Sequence, residues 1–190
     1  MFYKIIKAIC NLAILLIFKI KVLGRENMPE CGGAIVAMNH RSNWDVPVAG
    51  LCAKRKLRFM AKAEMFKTKF GNWFFKNLGA FPVQRGKGDI GAIKAALTKL
   101  KEEHIIAMFP EGRRVKDGVK QEPKPGVVML AIKAQVPVIP VHISGKYKWF
   151  GKITVTFGEP IYYDDFYGEK VAVEELQSLS RELMNLINSL

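Results

Sequence analysis

His40 and Asp45 stand five residues apart in the polar cluster Asn39-His40-Arg41-Ser42-Asn43-Trp44-Asp45, which directly follows the apolar run Ala34-Ile35-Val36-Ala37-Met38. Histidine is the side chain whose ordinary pKa lies nearest physiological pH, and a carboxylate that accepts one ring N–H fixes the tautomer and leaves the other nitrogen basic. Residues 46–51 are compatible with a helix that Asp45 would open. If the intervening loop folds back, Asp45 meets His40 and the two form a general base with its orienter. Taken alone, the pair is better read as a loop histidine and a helix N-cap, and the rest of the chain has to decide.

A second polar cluster, Pro110-Glu111-Gly112-Arg113-Arg114, follows the apolar run Ile105-Ile106-Ala107-Met108-Phe109. It places a carboxylate, a glycine that permits close backbone approach and two guanidinium groups within five residues. Arginine pairs suit bidentate phosphate recognition, and Glu111 is suited to hold a substrate hydroxyl beside that phosphate. Lys62 and Arg85 also lie just beyond short apolar runs and can complete an anion clamp, although each alone is an ordinary surface charge. Ser42, two residues from His40, is a nucleophile by type; we read it as a hydroxyl that shapes the loop.

Short aliphatic runs that stop at polar residues are the pattern of buried strands delivering side chains to a sheet edge, where α/β proteins place their chemistry. Strands are expected at residues 20–23, 34–38, 57–61, 105–109, 136–141 and 153–157, with the prolines of Val136-Pro137-Val138-Ile139-Pro140-Val141 suiting an edge or irregular strand, and residues 79–85 read as strand into loop. Helical spacing covers residues 89–103, 127–134 and 173–190. Residues 65–78 carry Phe66, Phe70, Trp73, Phe74 and Leu78 at helical spacing with Lys67, Lys69 and Lys76 between them. That helix either lies in a lipid interface or turns its apolar face to the core. The expected fold is therefore a single α/β domain, with a largely parallel or mixed central sheet flanked by helices.

The 190 residues, 49% hydrophobic and 25% charged, suffice for one domain with a real core. A net charge of +13 favours anionic partners. Cys10, Cys31 and Cys52 are odd in number and share no metal-ligand spacing, which points to a reducing compartment without disulfides or a zinc site. Residues 1–23 form a hydrophobic, membrane-associating segment. Within it, the uncharged run at residues 8–18 would rise roughly 16 Å as a helix, about half a bilayer core, so it is expected to embed in one leaflet. Residues 24–190 are expected to form the folded domain that carries the polar clusters. Lys146-Tyr147-Lys148-Trp149-Phe150 reads as a solvated loop or as an added membrane contact. A nucleic-acid binder would account for the charge but not for the apolar amino terminus or the ordered polar clusters, so nucleic acid is not an expected partner.

Four blocks in order resemble those of the glycerolipid acyltransferases: residues 39–45, Gly79-Ala80-Phe81-Pro82-Val83-Gln84-Arg85, Phe109-Pro110-Glu111-Gly112-Arg113-Arg114 and residues 136–141. Lys62, in Ala61-Lys62-Ala63-Glu64, also falls where that family usually has lysine. Arg113, Val115 and Gln84 depart from the usual threonine, serine and aspartate. The resemblance, nearest to the bacterial 1-acyl-sn-glycerol-3-phosphate acyltransferases, implies direct transfer of an acyl chain from acyl-CoA or acyl carrier protein to lysophosphatidic acid, with no acyl-enzyme. It implies His40 and Asp45 as the catalytic pair and Glu111, Gly112, Arg114, Arg85, Lys62 and Arg113 as substrate-binding residues. It further implies no cofactor beyond the acyl donor, and a place at the cytoplasmic face of a bacterial inner membrane rich in anionic phospholipid.

Overall fold

The computed structural model describes residues 8, 12, 14–83, 90–115 and 121–190. Seven strands form one sheet: β1 (Phe18–Leu23), β2 (Ala34–Met38), β3 (Leu57–Lys62), β4 (Phe81–Val83), β5 (Ile105–Met108), β6 (Val138–Gly145) and β7 (Gly151–Phe157). The strand order is β1-β7-β6-β2-β5-β3-β4. Strands β2 to β6 run parallel to one another, β7 is antiparallel to β6, and β1 is parallel to β7. The sheet is thus mixed, as expected.

Besides the helical residues 14–17, five helices accompany it among the described residues: α1 (Asp45–Cys52), α2 (Lys69–Leu78), α3 (Ile90–Lys101), α4 (Gly126–Ala134) and α5 (Val173–Ser189). Every residue of β2 is buried, because successive side chains alternate between two covered faces. Ala34, Val36 and Met38 pack with Val48, Ala49 and Cys52 of α1, while Ile35 and Ala37 pack with residues of α3, α4 and α5. Pro47 falls in the first turn of α1, where a missing N–H removes no helical hydrogen bond.

Three sequence expectations need correction. First, β6 is a central strand and not an edge, since it pairs with both β2 and β7. Pro140 is tolerated because its carbonyl accepts Gly158 N–H at 2.8 Å. Its backbone therefore points to the β7 side, just beyond the ladder that begins at Val141↔Phe157, and its absent N–H removes no bond to β2. Second, the aromatic helix is shorter than residues 65–78. A 3-10 turn at Ala63–Phe66 precedes α2, which Thr68 caps by accepting Gly71 N–H at 2.9 Å.

The third concerns the amino terminus. Part of the expected membrane-associating segment, residues 1–7, 9–11 and 13, lies outside the described residues. Residues 14–17 are helical, and Phe18 already belongs to β1. Among the described residues no helix is long and apolar enough to cross a membrane. Because β1 pairs with β7 from Phe18↔Gly151 to Leu23↔Thr156, the sheet reaches back across the boundary expected after residue 23. The alternation in Phe18-Lys19-Ile20-Lys21-Val22-Leu23 turns Phe18, Ile20 and Val22 toward the core, which is why this stretch is a strand.

The topology collects the polar clusters at one edge. The C-terminal ends of β2, β3, β5 and β6 lie there, as does the start of β1, which runs the opposite way.

Candidate active site

Residues 39–45 fold back at the end of β2. His40 Nδ1 lies 2.9 Å from Asp45 Oδ2, and the same oxygen accepts the backbone N–H groups of Arg41 and Ser42 at 2.7 Å each. Asp45 can only accept, so Nδ1 carries the proton and Nε2 of His40 is the basic nitrogen. Burial raises the Asp45 pKa, but the hydrogen bonds from His40, the Ser42 amide, Tyr147 and the Arg41 amide outweigh it and hold the carboxyl below its ordinary value. A fully buried carboxylate at the first turn of α1 is therefore kept ionised.

The imidazole is fixed on its other sides as well. Phe109, just past β5, stacks on it with centroids 3.8 Å apart and planes 17° apart. Glu111 Oε2 accepts the His40 backbone N–H at 2.6 Å, and Val115 N–H donates to the His40 carbonyl at 2.9 Å. Asn39 binds both backbone groups of Ile143 through its amide, at 3.0 and 2.8 Å, which ties the end of β2 to β6. Ser42 Oγ accepts Trp44 N–H at 3.2 Å, the loop-shaping contact expected of it. The other histidines lie elsewhere: His104 Nε2 is 3.2 Å from Arg58 Nη2, and His142 Nδ1 is 2.9 Å from the Ile187 carbonyl.

His40 opens on a cavity of about 750 Å³ between α1, β3, α2 and the segment after β5. Its walls are mostly apolar, with Leu51, Phe59, Met60, Phe75, Leu78 and Val127 among them. Lys62, Arg114 and Lys124, all exposed residues, are its cations, and among the described residues no carboxylate lines it. Lys124 is held over Gly112: its backbone N–H donates to the Pro110 carbonyl at 2.8 Å, and a Cβ on Gly112 would approach its Cδ and Cε to 3.1 Å. Gly112 also has φ +68, so a side chain there would be strained as well as crowded.

Two expected site residues fall away from this cavity, and one lies outside the described residues. Arg113 is turned to Gln121, donating through Nε at 3.0 Å and Nη2 at 2.8 Å. Glu111 is 7% exposed, does not line the cavity, and braces the backbone of His40. The reason is geometric: the turn after β5 brings Glu111 beside the end of β2, its sheet neighbour. Arg85 belongs to the residues not described.

Sequence reasoning missed Tyr147, whose hydroxyl donates to Asp45 Oδ1 at 2.7 Å from a loop 102 positions along the chain. Burial, then the Asp45 charge and hydrogen bond, push the Tyr147 pKa up, so the phenol stays protonated and donates. Lys124 was missed too. Its basic type between two prolines was the only signal.

Burial raises the Glu111 pKa; the His40 amide and then the imidazole oppose it, and the Asp45 charge adds the smallest contribution upward. A raised carboxylate pKa means the fold holds more protons than the unfolded chain above the ordinary glutamate value of about 4.3, so this ionisation destabilises as pH rises through the folded value. Glu111→Gln, whose amide oxygen can still accept the His40 N–H, is therefore expected to be at least as thermostable as the parent at pH 7, with the difference gone near pH 4. Its turnover should fall about tenfold as a charged acceptor becomes a neutral one. Thermal melts at both pH values and steady-state rates check this; a variant less stable at pH 7 contradicts it.

Comparisons with known proteins agree with one another. A family model described as acyltransferase matches residues 19–144. A 1-acyl-sn-glycerol-3-phosphate acyltransferase of Bacillus subtilis (strain 168) is 32% identical over 90% of this chain and 91% of its own. One from Streptococcus pneumoniae is 30% identical over 78% of this chain and 57% of its own. The crystal structure of the 1-acyl-sn-glycerophosphate acyltransferase PlsC from Thermotoga maritima superposes with a TM-score of 0.77 at 28% identity, over 98% of this chain and 78% of that one.

Proposed function

Because the chain belongs to the acyltransferase family, we propose that it transfers an acyl group from a thioester carrier to the sn-2 hydroxyl of 1-acyl-glycerol-3-phosphate, forming phosphatidic acid for phospholipid synthesis. The observation that carries this reading is that His40, three cations and an apolar wall share one cavity of about 750 Å³. Such a cavity suits an amphiphile with an anionic head. The apolar wall takes acyl chain, and Arg114, Lys62 and Lys124 at the rim take phosphate.

His40 Nε2 accepts the proton of the acceptor hydroxyl as its oxygen attacks the thioester carbonyl. The tetrahedral oxyanion collapses, the carbon–sulfur bond breaks, and the imidazolium returns its proton to the departing thiolate. Asp45, held by four donors, supports the imidazolium charge that forms and keeps Nδ1 protonated. A thioester is already activated, so the step calls for neither a covalent enzyme intermediate nor a further cofactor. Acyl-CoA and acyl carrier protein are both acidic donors that the surplus of positive charge favours. The same surplus suits an anionic membrane surface at the cytoplasmic face, with residues 1–23 contributing to the association.

Purified protein incubated with lysophosphatidate and either acyl-CoA or acyl carrier protein loaded with an acyl chain is expected to yield phosphatidate, read by mass. Absence of product with both donors would sink the reading. Arg114→Ala is expected to raise the KM for lysophosphatidate about ten- to a hundredfold with kcat nearly kept, the scale of a lost hydrogen bond to a charged group. Arg113→Ala, removed from the cavity by Gln121, should stay within about twofold. Equal effects of the two substitutions would contradict the assignment.

A further inference from the structure

The turn at residues 146–150, between β6 and β7, faces two ways. Trp149 is 74% and Phe150 69% exposed, beside exposed Lys146 and Lys148. Phe150 has φ +56, a conformation in which a bulky side chain is strained and glycine is not. A ring that stays exposed does not recover that strain by burial within this chain. The turn is nonetheless firmly built: Phe150 N–H donates to the Ile17 carbonyl and Gly151 N–H to the Lys148 carbonyl, each at 2.7 Å.

Tyr147, between the two lysines, points inward. Its hydroxyl reaches Asp45 Oδ1 at 2.7 Å, and its ring meets Phe18 edge-on at 5.4 Å. Phe18 meets Trp44, one residue before Asp45, at the same distance and also edge-on. Further exposed apolar side chains lie at this edge of the sheet. Leu15 and Leu16 precede Phe18, which pairs with Gly151 at the end of the turn, and Trp44 is 40% exposed. Tryptophan and phenylalanine beside lysines form a composition that settles at the headgroup boundary of an anionic lipid layer, aromatic rings inward and ammonium groups on the phosphates.

We propose that this turn seats on an anionic lipid surface through Lys146, Lys148, Trp149 and Phe150, and that Tyr147 links the seat to the catalytic pair as a positioning residue for Asp45. The inference rests on the reading of His40 and Asp45 as base and orienter. It adds a reason for Phe150 at a position that favours glycine, and for a phenol on the far oxygen of Asp45. A lipid surface that holds the turn holds Tyr147 with it, and so restricts the Asp45 carboxylate to the rotation that faces His40.

Two measurements on the full chain test it. With Trp44→Phe and Trp73→Phe, Trp149 is the sole tryptophan. Its emission is expected to be quenched by vesicles of brominated phosphatidylglycerol and much less by brominated phosphatidylcholine. An unquenched Trp149, whether or not the protein sediments with the vesicles, would overturn the seat. Tyr147→Phe keeps the ring against Phe18 and removes only the hydroxyl. It is expected to keep the quenching, to shift the downfield proton resonance of His40 Nδ1, and to lower kcat about tenfold with KM changed less than about twofold. A resonance at the parental position would overturn the link. Failure of the parent protein to make phosphatidate would count against acyl transfer alone, since neither the quenching nor the resonance requires turnover.

Discussion

His40→Ala is expected to lower kcat by about a hundred- to ten-thousandfold, the range that general-base assistance supplies, or about 3 to 5 kcal/mol of barrier. The structure predicts that the fold survives this change. The His40 side chain is 15% exposed and contributes one of four donors to Asp45, so the other three remain. KM for lysophosphatidate should move little, because Arg114, Lys62, Lys124 and the apolar wall are untouched. Ser42→Ala is the paired control. Its hydroxyl accepts only the Trp44 amide among the described residues, and its loss should leave turnover within about threefold. Rates of phosphatidate formation for the two purified variants decide the matter: near-parental activity in His40→Ala would remove His40 as the base, and a dead Ser42→Ala would replace direct transfer with a serine nucleophile.

Asp45→Asn is expected to cost about a hundredfold in kcat, less than a change that inverts the imidazole tautomer. Oδ2 receives three N–H donors, from His40, Arg41 and Ser42, so an asparagine must put its oxygen there and its amide nitrogen toward Tyr147. The Tyr147 hydroxyl can turn its hydrogen away and accept from that nitrogen. The Nδ1 proton therefore stays where it is, and what is lost is the negative charge that supports the imidazolium. An inverted tautomer, by comparison, costs on the order of ten-thousandfold in the serine-protease triad. Stability should fall too, by about 1 to 3 kcal/mol at neutral pH, since charged hydrogen bonds become neutral ones. Asp45 has a lowered folded pKa, so its contribution is present above the ordinary aspartate value of about 3.9 and disappears as pH falls through the folded value. Denaturant titrations of parent and variant should therefore differ at pH 7 and converge in acid. A gap that widens in acid would mean that Asp45 is buried protonated.

Both predictions concern a contact legible from the chain alone, because His40 and Asp45 lie within one loop and the geometry of five residues limits where their side chains can meet. The strands were legible for a related reason. A run such as Ala34–Met38, apolar at every position, has to be covered on both faces, and only a central parallel strand between helical layers offers that. The alternation in β1 was overshadowed by the apolar run before it. That run drew the first residues of the strand into an expected helix, although Phe18 pairs with Gly151.

Other parts of the site depend on which strands become neighbours, and no local pattern encodes that. Pro140 looked like the mark of an edge, and it is central because its missing N–H points to where the β7 ladder has not yet begun. Glu111 looked like a substrate contact, and the pairing of β5 with β2 delivers it to the backbone of His40. Arg113 and Arg114 are alike in sequence, and the fold separates them by turning one to Gln121 and the other to the cavity.

The sequence by itself determined that His40 and Asp45 share one loop, that the chain forms α/β layers and that its surface favours anionic partners, since each follows from local spacing, periodicity or charge; the proposed roles of base and orienter and the lipid substrate come from the resemblance to the glycerolipid acyltransferases. The tertiary structure decided what holds the His40–Asp45 pair in place, Tyr147 from the turn beyond β6 and Phe109 and Glu111 from the end of β5, and which cations face the cavity, Lys124 over Gly112 among them. These contacts join positions far apart in the chain, and their energies arise only once the strand order has brought them together at one edge of the sheet.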